Sequence, residues 1–428
     1  MLQFLFNNMR IKRLFLFAGV AIAAASLFAG CDPQDKIEGQ EEQPFELKEG
    51  TVREHSFSRG EPSPLSLELS TDESRLFHQS DSFAIKLFMA VNESMGDQNF
   101  CISPLSLQVT LGLLANGMDD AGYAELSEAL YGEVVDKAFL NNSLSKLKNA
   151  LEQTNCVKIS NGIWLSEDSE FKSGYLDVAQ QKYGAATGYL DFKSHTQSAY
   201  DSICQWAYDN TCGKLNKQVI DYYGPGTAMV LANSAWFSSI WDCPFKPIDI
   251  GDNMMFSRYS TAFYIYKENY QILSLPFRNS SFRMDFVFSS NNTPIDEIIS
   301  NLSCYDTNDL VYSKILHTNL PKFSVDNDIK LGSILENLGV SELFKTWALP
   351  NIGNHMYSNR YLNQSIRFDV VEGGIDAEAD PREFPEQTPG YVIIDNWPTA
   401  LVEPPFIYAI RDNVSGAFLF MGKVCSLD

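Results

Sequence analysis

The sequence predicts an α+β fold built on large mixed or antiparallel sheets, and three observations carry that prediction. Amphipathic helical segments crowd the first half of the body and short strands crowd the second. Between them, Ala228-Met-Val-Leu-Ala-Asn-Ser-Ala-Trp-Phe237 is almost continuously apolar, as a central strand covered on both faces must be. A chain of 428 residues that is 45% hydrophobic and 13% aromatic can bury a large core.

The N-terminus is read first as an address. Arg10, Lys12 and Arg13 precede an uncharged run from Leu14 to Gly30 that ends in small residues, the layout of a secretory signal. That run sits at the lower limit for crossing a bilayer, about 17 residues, so an uncleaved membrane anchor is the competing reading. The order Leu27-Phe28-Ala29-Gly30-Cys31 favours cleavage, because it looks like a bacterial lipoprotein box with Cys31 as the acylated residue. Residues 1–30 are then the signal peptide. Residues 31–74 form an acidic tether, with twelve acidic against four basic residues between Asp32 and Ser74 and almost no apolar periodicity. As a flexible coil the tether spans on the order of 35 Å, enough to hold the body clear of lipid headgroups.

The body follows as residues 75–428, with no internal repeat and no second linker. From Leu76 to Met95 the apolar residues Phe77, Phe83, Ile85, Leu87, Phe88 and Val91 favour one side of a helix. Asn99–Ile102 is a short apolar run. Ser103-Pro104 then supplies a cap and a first-turn proline for a helix ending near Asn116-Gly117. Residues 124–131 and 137–151 read as two more helices, 157–165 as a strand and 198–211 as a helix. Strands are expected at 264–275, 283–288, 319–325, 365–371, 406–410 and 417–424.

Composition excludes several functions. The formal net charge is −22, becoming −25 once the three basic residues of positions 1–30 are removed, which argues against a nucleic-acid partner. Five scattered histidines give no metal-site spacing, and no Gly-x-Ser-x-Gly elbow, phosphate loop or Cys-x-x-Cys pair marks a catalytic enzyme. No catalytic residue, metal or cofactor is therefore expected. With Cys31 assigned to lipid, seven cysteines remain, an odd number that implies no disulfide framework and buried free thiols instead.

Particular residues, beyond their pattern, carry a resemblance. Asn99-Phe-Cys-Ile-Ser-Pro-Leu-Ser106 with Leu114-Ala-Asn-Gly117, Trp206 with Thr211-Cys-Gly-Lys-Leu215, and Leu231-Ala-Asn-Ser-Ala-Trp-Phe237 with Trp241 and Pro244-Phe245 come in order. Leu275-Pro-Phe277, Leu320-Pro-Lys-Phe323, Leu338-Gly-Val-Ser-Glu-Leu-Phe344, Pro405-Phe406 and Leu419-Phe-Met-Gly-Lys-Val424 continue the series. Together they resemble the serpin family over nearly all of residues 75–428. The resemblance implies about eight or nine helices, a large central sheet, smaller sheets and an exposed reactive loop at about residues 375–400. It also implies a monomer that inhibits a serine or cysteine protease as a suicide substrate. Once cut, the loop enters the main sheet as a new strand and carries the acylated protease with it, driven by ladder hydrogen bonds and buried loop side chains. One small sheet is expected to have lost strands, because Phe245–Leu275 is shorter than the family norm.

Matching to the family places Glu372, Gly373 and Gly374 at the hinge. From there Ile375, Ala377 and Ala379 alternate with Asp376, Glu378 and Asp380, the period-two pattern of a strand with one buried face. Ile375, Glu378 and Asp380 stand where inhibitory hinges carry smaller residues, so slower insertion is expected. Pro381 and Pro385 cannot donate ladder bonds. Counting forward from the hinge puts the scissile bond between Thr388 and Pro389, whereas counting back from Pro405 puts it near Ile394. Tyr391 suits a chymotrypsin-like enzyme, and Arg382 lies too near the hinge. Tyr391–Ile394 is either bait or an edge strand, and the acidic loop either steers a basic protease or is simply solvated.

Under the sheet opening the resemblance groups Ser103, Ser106 and Asn233, with Gln364 where the family carries histidine; glutamine still donates and accepts. Trp241 is either a guard of the upper opening or plain core. Two functions stay open. One is a protease inhibitor displayed by lipid on a bacterial envelope, at the outer membrane or cell surface, intercepting host or neighbouring proteases. The other is a non-inhibitory surface binding protein whose loop does not insert, as Ile375, Pro381, Pro385 and Pro389 suggest.

Overall fold

The computed structural model describes residues 62–215, 226–247, 254–259, 262–302, 311–312, 316–355, 357, 362–377 and 399–427. The signal, Cys31 and most of the tether lie outside these residues, as do Glu378, Ala379, Thr388, Pro389, Tyr391 and Ile394. No described helix is long and apolar enough to cross a membrane.

Local sequence explains the opening helices. Helix α1 (Thr71–Met95) starts at a capping box in which Ser70 and Glu73 satisfy each other's backbone amides. Strand β1 (Phe100–Ile102) leads into α2 (Pro104–Ala115), where proline occupies the first turn and every residue is buried. The Ser103 hydroxyl does not cap α2 as the sequence suggested; it donates to the Leu419 carbonyl at 2.6 Å. Helices α3 (Asp120–Tyr131) and α4 (Lys137–Gln153) are capped by Asp119 and Asp136. Then come β2 (Val157–Ser166), α5 (Ser173–Gln181), β3 (Ala186–Leu190), α6 (Thr196–Asn210), β4 (Met229–Phe237) and β5 (Ser239–Ile240).

The second half begins with β6 (Lys246–Pro247), β7 (Met254–Tyr259), β8 (Phe263–Tyr266), β9 (Tyr270–Pro276), β10 (Phe282–Ser289), α7 (Ile295–Ser300) and β11 (Val311–Tyr312). It continues with β12 (Leu316–Pro321), β13 (Phe323–Lys330), α8 (Gly332–Asn337), β14 (Asn363–Val371), β15 (Gly374–Ile375), β16 (Thr399–Leu401), β17 (Phe406–Asp412) and β18 (Phe418–Val424). Two expected strands are each divided. Residues 264–275 turn at 267–269 to form the β8–β9 pair, and 319–325 breaks at Lys322 into β12 and β13. Strands β6, β7 and β8 lie within the stretch expected to have lost strands.

The eight α-helices among the described residues surround four hydrogen-bonded sheets. A seven-stranded antiparallel sheet runs β1-β18-β17-β10-β9-β8-β11, and β16-β12-β7-β6 forms a small one. The other two position the site: β3-β2-β4 and β13-β14-β15-β5. Their facing strands, β4 and β14, pack side by side yet share no ladder among the described residues, so the seam between them is the slot that an entering strand would have to open. Helix α6 covers the outer face of β4, packing Ile203 and Cys204 against Val230 and Ala232. The main core lies beneath the slot, where Phe420 meets a ring from each side, Phe237 of β4 at 6.4 Å and Phe368 of β14 at 5.9 Å.

The six described body cysteines form no disulfide. Cys101, Cys156 and Cys204 are buried as expected, but Cys212, Cys243 and Cys425 are only half-buried. Helix α6 stops at Asn210, so it does not run through both Cys204 and Cys212.

Candidate functional site: a hinge seated in a sheet opening

The mouth of the slot is filled by the first residues of the predicted hinge. Glu372 and Gly373 form a tight turn after β14, and β15 folds back antiparallel to it, with Val371 opposite Gly374 and Val370 opposite Ile375. On its other side β15 pairs antiparallel with β5, Gly374 opposite Ile240 and Ile375 opposite Ser239. Ile375, the residue expected to slow insertion, is already fully buried in this seat, and Ala377 is buried behind it. Gly374 is required by close approach: a Cβ there would meet the Ser239 carbonyl oxygen at 2.0 Å.

Three groups hold the turn. The Trp241 backbone amide donates to the Gly373 carbonyl and its indole Nε1 to the Val371 carbonyl, both at 3.0 Å. The Trp241 ring stacks on Phe277 at 4.7 Å and is fully buried, so the side chain that bonds the turn is itself part of the core. Glu372 accepts from Lys322 at 3.1 Å while its carbonyl takes the Phe245 amide.

Asp376 departs from the predicted alternation. Its φ is +48°, left-handed, so the chain leaves the strand conformation immediately after Ile375. Its amide still donates to the Asp369 carbonyl, but the Asp369 amide is taken by the Asp376 carboxylate, each at 2.9 Å. Lys214, just beyond α6, reaches Asp376 at 2.6 Å and Asp369 at 2.9 Å. Burial pushes the Asp376 carboxyl pKa up despite Lys214. Burial also pulls the Lys214 ammonium down, yet the two aspartates outweigh it and leave its pKa raised.

Deeper in the slot the predicted polar cluster separates into two groups. Gln364 on β14 clasps the Ser103 backbone, accepting from its amide at 2.8 Å and donating to its carbonyl at 3.1 Å. Ser106, one turn along α2, donates to the Asn233 side chain at 2.8 Å, and Asn233 donates to Asn161 at 3.1 Å, which also takes the Thr110 hydroxyl. Asn161 and Thr110 were not singled out from the sequence; an asparagine one strand over from an apolar run was their signal. Lys214 and Lys322 appeared only inside longer motifs, because an ion pair across the fold leaves no local pattern. No group of residues able to hold a metal ion occurs among the described residues.

Comparison with known proteins agrees in extent with this architecture. The family model described as "Serpin (serine protease inhibitor)" matches residues 78–427. The mouse (Mus musculus) leukocyte elastase inhibitor A is 24% identical over 372 residues, covering 80% of this chain and 97% of that protein. Thyroxine-binding globulin complexed with thyroxine superposes with a TM-score of 0.72 at 19% identity, covering 84% of this chain and 100% of the other. Serpin48 of the insect Tenebrio molitor gives 0.70 at 21% identity, covering 85% and 100%.

Proposed function

The chain belongs to the serpin family, and on that premise we propose that it is an inhibitor that traps a serine or cysteine protease by inserting its cleaved loop between β4 and β14. The observation that carries this reading is the seat of β15: among the described residues no ladder joins β4 to β14, and the mouth of the seam between them already accepts Gly374 and Ile375 as a strand.

Continuing the two registers down the slot assigns the loop residues as far as 382 a place between both strands. Ala377 falls between Phe368 and Phe237, Ala379 between Ile366 and Ala235, and Pro381 between Gln364 and Asn233. The alanines face the core beneath the slot. Glu378 falls opposite Arg367, an opposite-charge cross-strand pair that offsets part of the cost of its size. Only Pro381 and Pro385 withhold ladder donors. Ala379 joins the already buried Ala377 against the core, and the inserting residues add ladder bonds worth about 1 kcal/mol each, which is the driving force for insertion.

Display on a bacterial envelope by a lipid on Cys31 belongs to the same proposal, supported by the basic, apolar and small-residue order of residues 10–31. The second reading, a binding protein whose loop stays out, is favoured by Pro381, Pro385 and Pro389. Incubating the soluble body with elastase-, chymotrypsin-, trypsin- and papain-type proteases separates the two. A covalent complex that survives denaturing electrophoresis is expected with at least one, and simple cleavage by all of them would favour the binding reading.

A further inference from the structure

The hinge enters the slot and then stops, and the stop has an identifiable cause. In a continuing antiparallel strand, residue 376 would have φ near about −140°, and its own carbonyl would accept the Asp369 amide. Instead its φ is +48°, and its carboxylate takes that amide at 2.9 Å. The freed Asp376 carbonyl accepts from the Ser238 hydroxyl at 3.1 Å. A side chain has thus replaced the main chain in the ladder, and the backbone leaves the strand conformation at residue 376. Aspartate is one of the few residues whose short side chain tolerates this conformation by bonding locally.

Lys214 fixes the arrangement. Its ammonium lies between Asp376 at 2.6 Å and Asp369 at 2.9 Å, and the Asp376 side chain is fully buried beneath it. Two carboxylates at adjacent seats would repel; the shared cation turns them into a clasp. Because Lys214 follows α6, the clasp ties the helix covering β4 to β14 and to the hinge at one point.

We propose that Asp376, held by Lys214, is a built-in stop that arrests the uncleaved loop after Ile375, and that its release is a distinct step of insertion. To go further, residue 376 must swing to the extended region, surrender the Asp369 amide to its own carbonyl and leave the Ser238 hydroxyl. The stop keeps the uncleaved chain from spending its loop before a protease arrives. Asp376 is a positioning residue.

This inference rests on the insertion reading, and the test separates the two. Full-length soluble body is made as wild type, Asp376→Ala, Asp376→Thr and Asp376→Asn. Uncleaved samples are incubated at elevated temperature and their conversion to a heat-resistant form is timed. Loop-cleaved wild type serves as the fully inserted standard. Alanine and threonine have no carboxylate, and threonine is strongly disfavoured at positive φ, so both should convert at least about ten-fold faster than wild type. Asparagine keeps an acceptor and tolerates the left-handed region, so Asp376→Asn should stay within about three-fold of wild type. A merely structural role would not order the variants this way. Exchange of the residue-376 amide in the uncleaved proteins gives a second readout that needs no conversion. Equal conversion rates for Asp376→Ala and wild type, with the cleaved standard heat-resistant, overturn the stop and leave insertion standing. A cleaved standard that is not heat-resistant overturns the insertion reading and the stop with it.

Discussion

Replacing Gly374 by alanine tests the seated hinge at its tightest point. The new Cβ would stand 2.0 Å from the Ser239 carbonyl oxygen and 2.9 Å from both the Ser239 carbonyl carbon and the Ile240 Cα. All three are backbone atoms of β5, so no side chain can rotate aside, and the strands must part by more than about 1 Å to reach ordinary contact. Against this the seat offers the burial of Ile375, worth about 1.5–3 kcal/mol, and a few ladder bonds of about 1 kcal/mol each. Overpacking of this kind costs about 1–3 kcal/mol and more where backbone meets backbone. A cost of about 3 kcal/mol removes much of the seat's stability, so the hinge of Gly374→Ala should leave the gap far more often. Amide exchange at residues 375–377 in the uncleaved protein should then accelerate by roughly 100-fold, from the relation of about 1.4 kcal/mol per factor of ten. Trp241, whose amide and indole both bond the turn, should change its fluorescence in parallel. Unchanged protection at 375–377 would refute the argument that this seat is occupied as described.

Two further outcomes follow from named groups. Ser238 directs its amide to β2, so the alternate residues Phe237, Ala235 and Asn233 present theirs to the slot, and Pro381 in register would leave the Asn233 carbonyl without a ladder donor. Pro381→Ala should therefore stabilise the loop-cleaved protein by about 1 kcal/mol more than the intact one in thermal melts; an equal effect on both forms would contradict the register. Burial raises the Asp81 pKa to about 6 although Arg411 lies 3.4 Å away. A folded pKa above the unfolded value means the contribution is fully present below about pH 4 and is lost as pH rises through about 6. Urea unfolding should show up to about 3 kcal/mol of that decline in wild type and a flatter profile in Asp81→Asn.

Most of the body was legible because its signals are local. The 3.6-residue spacing of Phe77 to Val91, the Ser103-Pro104 start and the apolar run ending at Phe237 each report on a single element. Pairings across the fold left weaker marks. The break at Lys322 lies inside an apolar stretch that reads as one strand, and the turn at 267–269 interrupts another. The hinge shows the limit most plainly. Alternation of Ile375, Ala377 and Ala379 predicts an unbroken strand, and it describes where the loop would go. What halts it after Ile375 is a lysine about 160 residues earlier in the chain meeting two aspartates, a contact that no periodicity encodes. The helix-covered strand, the polar pairs on α2 and the glycine at 374 were visible as residues, but only the register shows that they line one slot.

The central claim is that the loop can become a strand between β4 and β14, and the melting temperature of the loop-cleaved protein tests it most directly. The body is nicked within residues 381–396 by a protease it does not trap, purified with both fragments associated, and melted beside the intact chain. Insertion predicts a cleaved form that unfolds about 5–10 °C higher, as several added ladder bonds and the newly buried Ala379 require. A cleaved form melting at or below the intact temperature would contradict it.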